Sequence, residues 1–311
     1  MTIRREAWLW ASGAALLAAA AAACSASGDD NAGTNGAGSG QGAGTGQGGT
    51  LFTTGTGTGG SSTGTLGVGG GGSGDCSEAA KLIYLVSVEH DLYSFNPTIA
   101  GAQAYKHIGQ LSCASAGDPQ SMAVDRSGTA WIFYHTGELF RVSTADASCE
   151  STTYQHPVNQ PFSQLGMGFT AASPDSTDQR FFIISPDFGL ATIELPSLAV
   201  TQTGALITAA ELTGGPDARL FQFIATDGNL NEIDLTTNTT SFIHYFPELE
   251  GTSAFAFARY AGEFYVFTAP GVGSTTTHYD PITNQSMFRD SLDFTVVGAG
   301  QSTCVPPPVP Q

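Results

Sequence analysis

Five nearly continuous apolar runs punctuate the chain: "LIYLV" from Leu82, "AWIFY" from Ala130, "RFFII" from Arg180, "LFQFI" from Leu220 and "EFYVF" from Glu263. A strand with one wet face alternates apolar and polar residues; these runs do not, so both of their faces must be covered. Each is followed by a polar turn and a second strand: "DLYSF", "ELFRV", "GLATI", "NLNEI" and "THYDP". The turns "EHD", "HTG", "PDFG" and "TDGN" supply residues that accept positive φ or form Asx turns, which predicts hairpins. In front of four of the runs lies a strand of smaller residues, "SMAVD", "LGMGFTA", "AELTG" and "SAFAFAR".

The runs begin 48, 50, 40 and 43 residues apart. That spacing falls in the range of propeller blades, and small residues suit the innermost strand, where blades crowd around an axis. The pattern predicts an all-β chain: a β-propeller of about five four-stranded blades. The first run lacks a small-residue strand before it, but "FTVVGAGQSTC" near the C-terminus has that character and no outer strands after it. We expect it to serve as the inner strand of the first blade and close the ring. Cys304 at its end and Cys76 just before "LIYLV" then share one turn position, which predicts a Cys76–Cys304 disulfide. The loop-entropy model gives such a bridge at most about 5 kcal/mol.

The two ends of the chain read differently. Arg4 and Arg5 precede an apolar stretch over 7–23 that is short for a spanning helix, the form of an export signal. Cys24 directly after "AAA" resembles the lipobox of bacterial lipoproteins, although Ala21 stands where that family usually has Leu. The resemblance implies cleavage before Cys24, acylation of its sulfur and new amine, and, because Ser25 rather than Asp follows, sorting to the outer membrane. Residues 25–75 are almost all Gly, Ser, Thr, Ala, Asn and Gln, too polar to offset their ordering entropy. As a flexible tether their r.m.s. reach is about 40 Å. The domain reading is therefore 1–23 lipoprotein signal peptide, 24–75 lipidated Cys24 plus tether, 76–304 propeller and 305–311 Pro-rich tail.

Export places the remaining four of five cysteines in an oxidising compartment. Elimination then pairs Cys113 with Cys149, although these positions fall nominally at opposite ends of their blades. A four-cysteine metal site is the competing arrangement, and no C-x-x-C spacing supports it. The formal charge is -17, with 10 basic against 27 acidic residues. Such a protein repels nucleic acid and anionic membrane surfaces, so its expected membrane contact is the lipid anchor alone.

Catalytic motifs are sparse. There is no G-x-S-x-G, H-E-x-x-H or P-loop. His90, His107, His135, His156, His244 and His278 show no metal-ligand spacing. "DGNLNE" over 227–232 begins like a calcium loop but has Glu232 where Gly is required.

"SMAVDRSGTAW" and "ELFRVS" resemble the blade repeats of lactonase, lyase and NHL-type propellers, while "GMGF", "AFAFARYAGEFYVFT" and "VVGAGQSTC" are similar to a narrower group of secreted lipoproteins from Gram-negative soil bacteria. Lactonase-like propellers hold a divalent metal at the top ends of inner strands. The matching positions here are Gln120, Gln164, Glu211, Ser253 and Asp293. Together with Glu89, Asp91, Glu138, Asp187 and Asp227 they predict an acidic channel mouth, where calcium or another cationic ligand could bind weakly through Glu211 and Asp293. No other cofactor is expected. The leading functional reading is a binding or scaffold propeller for an unknown protein, glycan or small molecule. A metal-dependent lactonase- or lyase-like enzyme and a structural envelope protein are the alternatives.

Overall fold

The computed structural model describes residues 76–159, 164–174 and 176–308. Cys24, the leader and the tether lie outside the described residues, as do residues 309–311 of the tail. The described chain is all-β apart from three short 3-10 turns. After β1 (Ile83–Ser87), β2 (Asp91–Phe95) and β3 (Tyr105–Gln110) come β4 (Pro119–Val124), β5 (Thr129–Tyr134), β6 (Leu139–Ser143) and β7 (Cys149–Ser151). The third blade holds β8 (Gly166–Ala171), β9 (Gln179–Ser185), β10 (Gly189–Glu194) and β11 (Ala199–Gly204). The fourth holds β12 (Glu211–Gly214), β13 (Leu220–Ile224), β14 (Asn229–Asp234) and β15 (Thr239–Tyr245). The fifth holds β16 (Phe255–Tyr260), β17 (Glu263–Gly271), β18 (Gly273–Asp280) and β19 (Gln285–Ser291), and β20 (Val296–Gln301) ends the series.

These strands form five separate four-stranded antiparallel sheets, the first in the order β20-β1-β2-β3. The C-terminal strand thus supplies the inner strand of blade one, with Leu85 opposite Ala299. The inner strands neighbour one another in the order β20, β4, β8, β12, β16 and back to β20. The fold is a five-bladed β-propeller, as the run spacing predicts.

Five buried apolar clusters hold the ring, one at each blade interface. In β1, Tyr84 and Val86 pack on Met122, Ile132 and Phe140 of blade two. Their neighbours Ile83 and Leu85 face Ala256, Ala258 and Phe267 of blade five. One strand presenting alternate side chains to two dry interfaces is the physical reason its sequence does not alternate. Small inner-strand residues answer to a second constraint. A Cβ on Gly166 would lie 2.0 Å from the Ala210 carbonyl oxygen in the next blade, and one on Gly298 would lie 2.9 Å from the Met122 nitrogen.

Both expected disulfides are present. Cys76 and Cys304 are bonded with Cα atoms 5.6 Å apart. Around them the Arg126 guanidinium donates to Thr303 Oγ1 at 3.2 Å, and Ser302 Oγ donates to the Ala80 carbonyl at 2.6 Å. Cys113 and Cys149 are also bonded, with Cα atoms 4.9 Å apart. The apparent conflict over their position dissolves in the blade twist, which accumulates from strand to strand. It lays the end of β3 against the β6–β7 turn of the next blade, so that a Cβ on Gly109 would stand 3.4 Å from Ala147 Cβ.

Candidate functional site

The axis of the ring is the place to test the expected ligand set. Glu211 is the first residue of β12 and is fully buried. Its Oε2 accepts a hydrogen bond from Ser121 Oγ at 2.8 Å. Ser121 lies on β4, and β8 stands between β4 and β12 in the ring, so the bond spans the axis. A second crossing bond runs lower down, where Gln301 Nε2 of β20 donates to Thr213 Oγ1 at 2.6 Å and to the Gly214 carbonyl at 2.8 Å. Ser121, Glu211, Thr213 and Gln301 are all buried. The axis is therefore filled by polar side chains that bond to one another.

Burial, the largest influence, holds the Glu211 carboxyl well above the usual carboxylate range; its bond to Ser121 and the nearby Met167 amide and Gln164 side chain act weakly in the opposite direction. Among the described residues, Glu211 Oε1 has no partner at hydrogen-bonding geometry. A protonated carboxyl in this position is a hydrogen-bonding group, not a fixed negative charge.

The other positions expected at the axis divide. Gln120 Oε1 accepts from the Leu165 amide at 3.3 Å, which ties the top of β4 to the approach to β8, and Gln164 lies beside Glu211. Ser253 is exposed ahead of β16. Asp293 corrects the expected cation pair: it is exposed in a surface cavity of about 240 Å³ between the outer parts of blades five and one, with Tyr93, Tyr105 and His107. Glu211 ends inside the ring because it opens its strand. Asp293 ends outside because it stands in the connection before Val296, where Phe294 stacks on Tyr93 at 3.9 Å.

The acidic rim is likewise divided into local contacts. Asp91 meets His107 at 2.8 Å, Glu138 accepts from Ser115 at 2.7 Å, and Asp187 accepts from Ser185 at 3.4 Å. Among the described residues, no three His, Cys, Asp or Glu side chains gather closely enough to hold a metal ion.

A different site, unmarked by any motif, lies on the outer edge of blade two. β7 has 3 residues, whereas the outer strands of the other blades have six or seven. After Ser151 the chain leaves the sheet, and Thr152 Oγ1 donates to the Leu139 carbonyl at 2.6 Å in place of a ladder bond. Tyr154 then turns inward against Phe133. The departure opens a cavity of about 500 Å³, walled by the β5–β6 turn, β6 and the segment to Asn159.

No family model matches the chain, and no curated protein matches it in sequence. Among solved structures it is similar to a chain of the crystal structure of a nidogen/laminin complex, at 9% identity and a TM-score of 0.44, over 70% of this chain and 97% of that one.

Proposed function

We propose that this protein is a binding or scaffold propeller, held to the outer membrane by lipid on Cys24 and facing the periplasm or the cell surface. The observation that carries the binding reading is the Ser121–Glu211 bond across the axis. In a lactonase-like enzyme the top ends of the inner strands offer open ligands to a metal. Here the carboxyl at such a position, Glu211, is buried and engaged in holding the ring, so recognition falls to the outer surfaces of the blades. The Gly/Ser/Thr-rich stretch over 25–75 supports the tether, because its reach sets a rigid domain off the bilayer.

Two measurements test the proposal. A labelled fatty acid should enter the wild-type protein and not the Cys24→Ser variant; equal labelling of both overturns the anchor. The full-length protein in detergent should retain ligands from an array of glycans and peptides while leaving lactones unhydrolysed. Turnover of any lactone that is lost in Glu211→Gln would replace binding with catalysis.

A further inference from the structure

The cavity beside β7 is a built feature of blade two. Its volume, about 500 Å³, lies within the range of small-molecule sites. Two walls are fixed close to the Cys113–Cys149 bridge, since Ala114 and Ser151 line the cavity one and two residues from its cysteines. A third is fixed by Thr152, whose oxygen donates to Leu139 and accepts from the Tyr154 amide at 3.2 Å.

The lining chemistry is specific. Thr152, Gln155 and Asn159 bring hydroxyl and amide groups that can both donate and accept. Phe140 and Tyr154 supply apolar wall, and among the described residues neither Lys nor Arg lines the cavity. The single carboxylate, Glu138, already accepts from Ser115 and Thr136. Tyr154 is 6% exposed, and its hydroxyl is buried in the core without a hydrogen-bond partner among the described residues.

An anion would meet no Lys or Arg among the described lining residues, only His156, whose imidazole burial holds below its ordinary pKa, and the repulsion of a chain with net charge -17. A cation would find one carboxylate, Glu138, whose Oε2 already accepts two hydrogen bonds, and no second acidic side chain among the described lining residues. A ligand that carries a donor and an acceptor at each of several positions, with apolar C–H faces between them, satisfies this lining. From this fit we infer that the blade-two cavity binds a neutral saccharide of one or two residues. The inference rests on the binding reading above and gives it a location and a ligand class.

The experiment uses the full-length protein in detergent with cellobiose, maltose and chitobiose as neutral probes, and glucuronate and glucosamine as charged ones. Saturation-transfer NMR and titration calorimetry read binding. At least one neutral disaccharide should bind, with affinity at least tenfold above that for either charged sugar. Gln155 and Asn159 are exposed, so Gln155→Ala with Asn159→Ala should leave the melting temperature unchanged and weaken binding at least fivefold. Gln285→Ala on the exposed outer strand of blade five should change neither. Failure of all three disaccharides to bind, preference for a charged sugar, or binding that survives the Gln155/Asn159 double variant would overturn the inference. In the last case the propeller remains a binding module and only this site is lost; silence across the whole glycan and peptide array would instead remove the binding reading.

Discussion

In the unfolded chain Glu211 ionises in the ordinary carboxylate range, near 4.5, whereas inside the ring burial makes the carboxyl hold its proton more tightly. The folded protein therefore keeps a proton that the unfolded chain has lost. Stability from this group is greatest below the ordinary carboxylate range and declines as pH rises, by about 1.4 kcal/mol per pH unit while that difference persists. The decline stops once Glu211 ionises within the fold. Glu211→Gln keeps an acceptor for Ser121 and removes the titration. Thermal melts should then coincide for variant and wild type near pH 4 and diverge by pH 7, with the variant the more stable. Parallel curves across that range would show that the carboxyl is not held protonated. A second residue-scale prediction concerns Gly166. Its Cβ would overlap the Ala210 carbonyl, so Gly166→Ala should cost about 1–3 kcal/mol or more in denaturant unfolding.

At the scale of the element, legibility follows burial. The middle strands were readable because two dry interfaces force a continuous apolar run, and the inner strands because crowding admits only small residues. The outer strands β3, β15 and β19 read "YKHIGQ", "TTSFIHY" and "QSMFRDS" and bury none of their residues fully, so no period marks them. The same reasoning explains the site. Glu211 was legible as an axial residue because it opens an inner strand, but Asp293 was not placeable by counting, since the four-residue connection between β19 and β20 decides whether a side chain points into the ring or out of it. The blade-two cavity arises from a strand shortened to three residues, an absence of pairing that leaves no motif. A contrast between strands follows. Phe242 and Phe288 are 65% and 66% exposed on β15 and β19, so replacing either with Ser should change stability by no more than about 0.5 kcal/mol. Phe223 on β13 is fully buried among Phe246, Phe255 and Phe257, and Phe223→Ala should cost about 3–5 kcal/mol. Equal costs, measured by urea unfolding, would refute the division into dry and wet strands.

The whole ring depends on one seam, where the two ends of the domain meet. Antiparallel pairing of β20 with β1, the Arg126 and Ser302 hydrogen bonds and the Cys76–Cys304 bridge all act at that seam. The other bridge joins neighbouring blades away from it. Their sequence separations, 228 and 36, give upper figures of about 5 and about 4 kcal/mol in the loop-entropy model. Stability alone thus separates the two poorly, whereas location separates them well. Replacing Cys76 and Cys304 by Ser leaves the seam held by a strand ladder that can open without disturbing the blade stacks opposite. Local opening needs less free energy than global unfolding and is read by amide exchange. Amides of β1 and β20 should therefore lose protection first in the Cys76→Ser/Cys304→Ser variant, while those of β9 and β13 keep theirs. In Cys113→Ser/Cys149→Ser the seam should exchange as in the wild type, and the change should be confined to β3, β7 and the residues that follow each. Equal protection of β1 and β20 in both variants would mean that hydrogen bonding and packing close the ring unaided, and that the covalent bond adds stability without governing where the propeller opens.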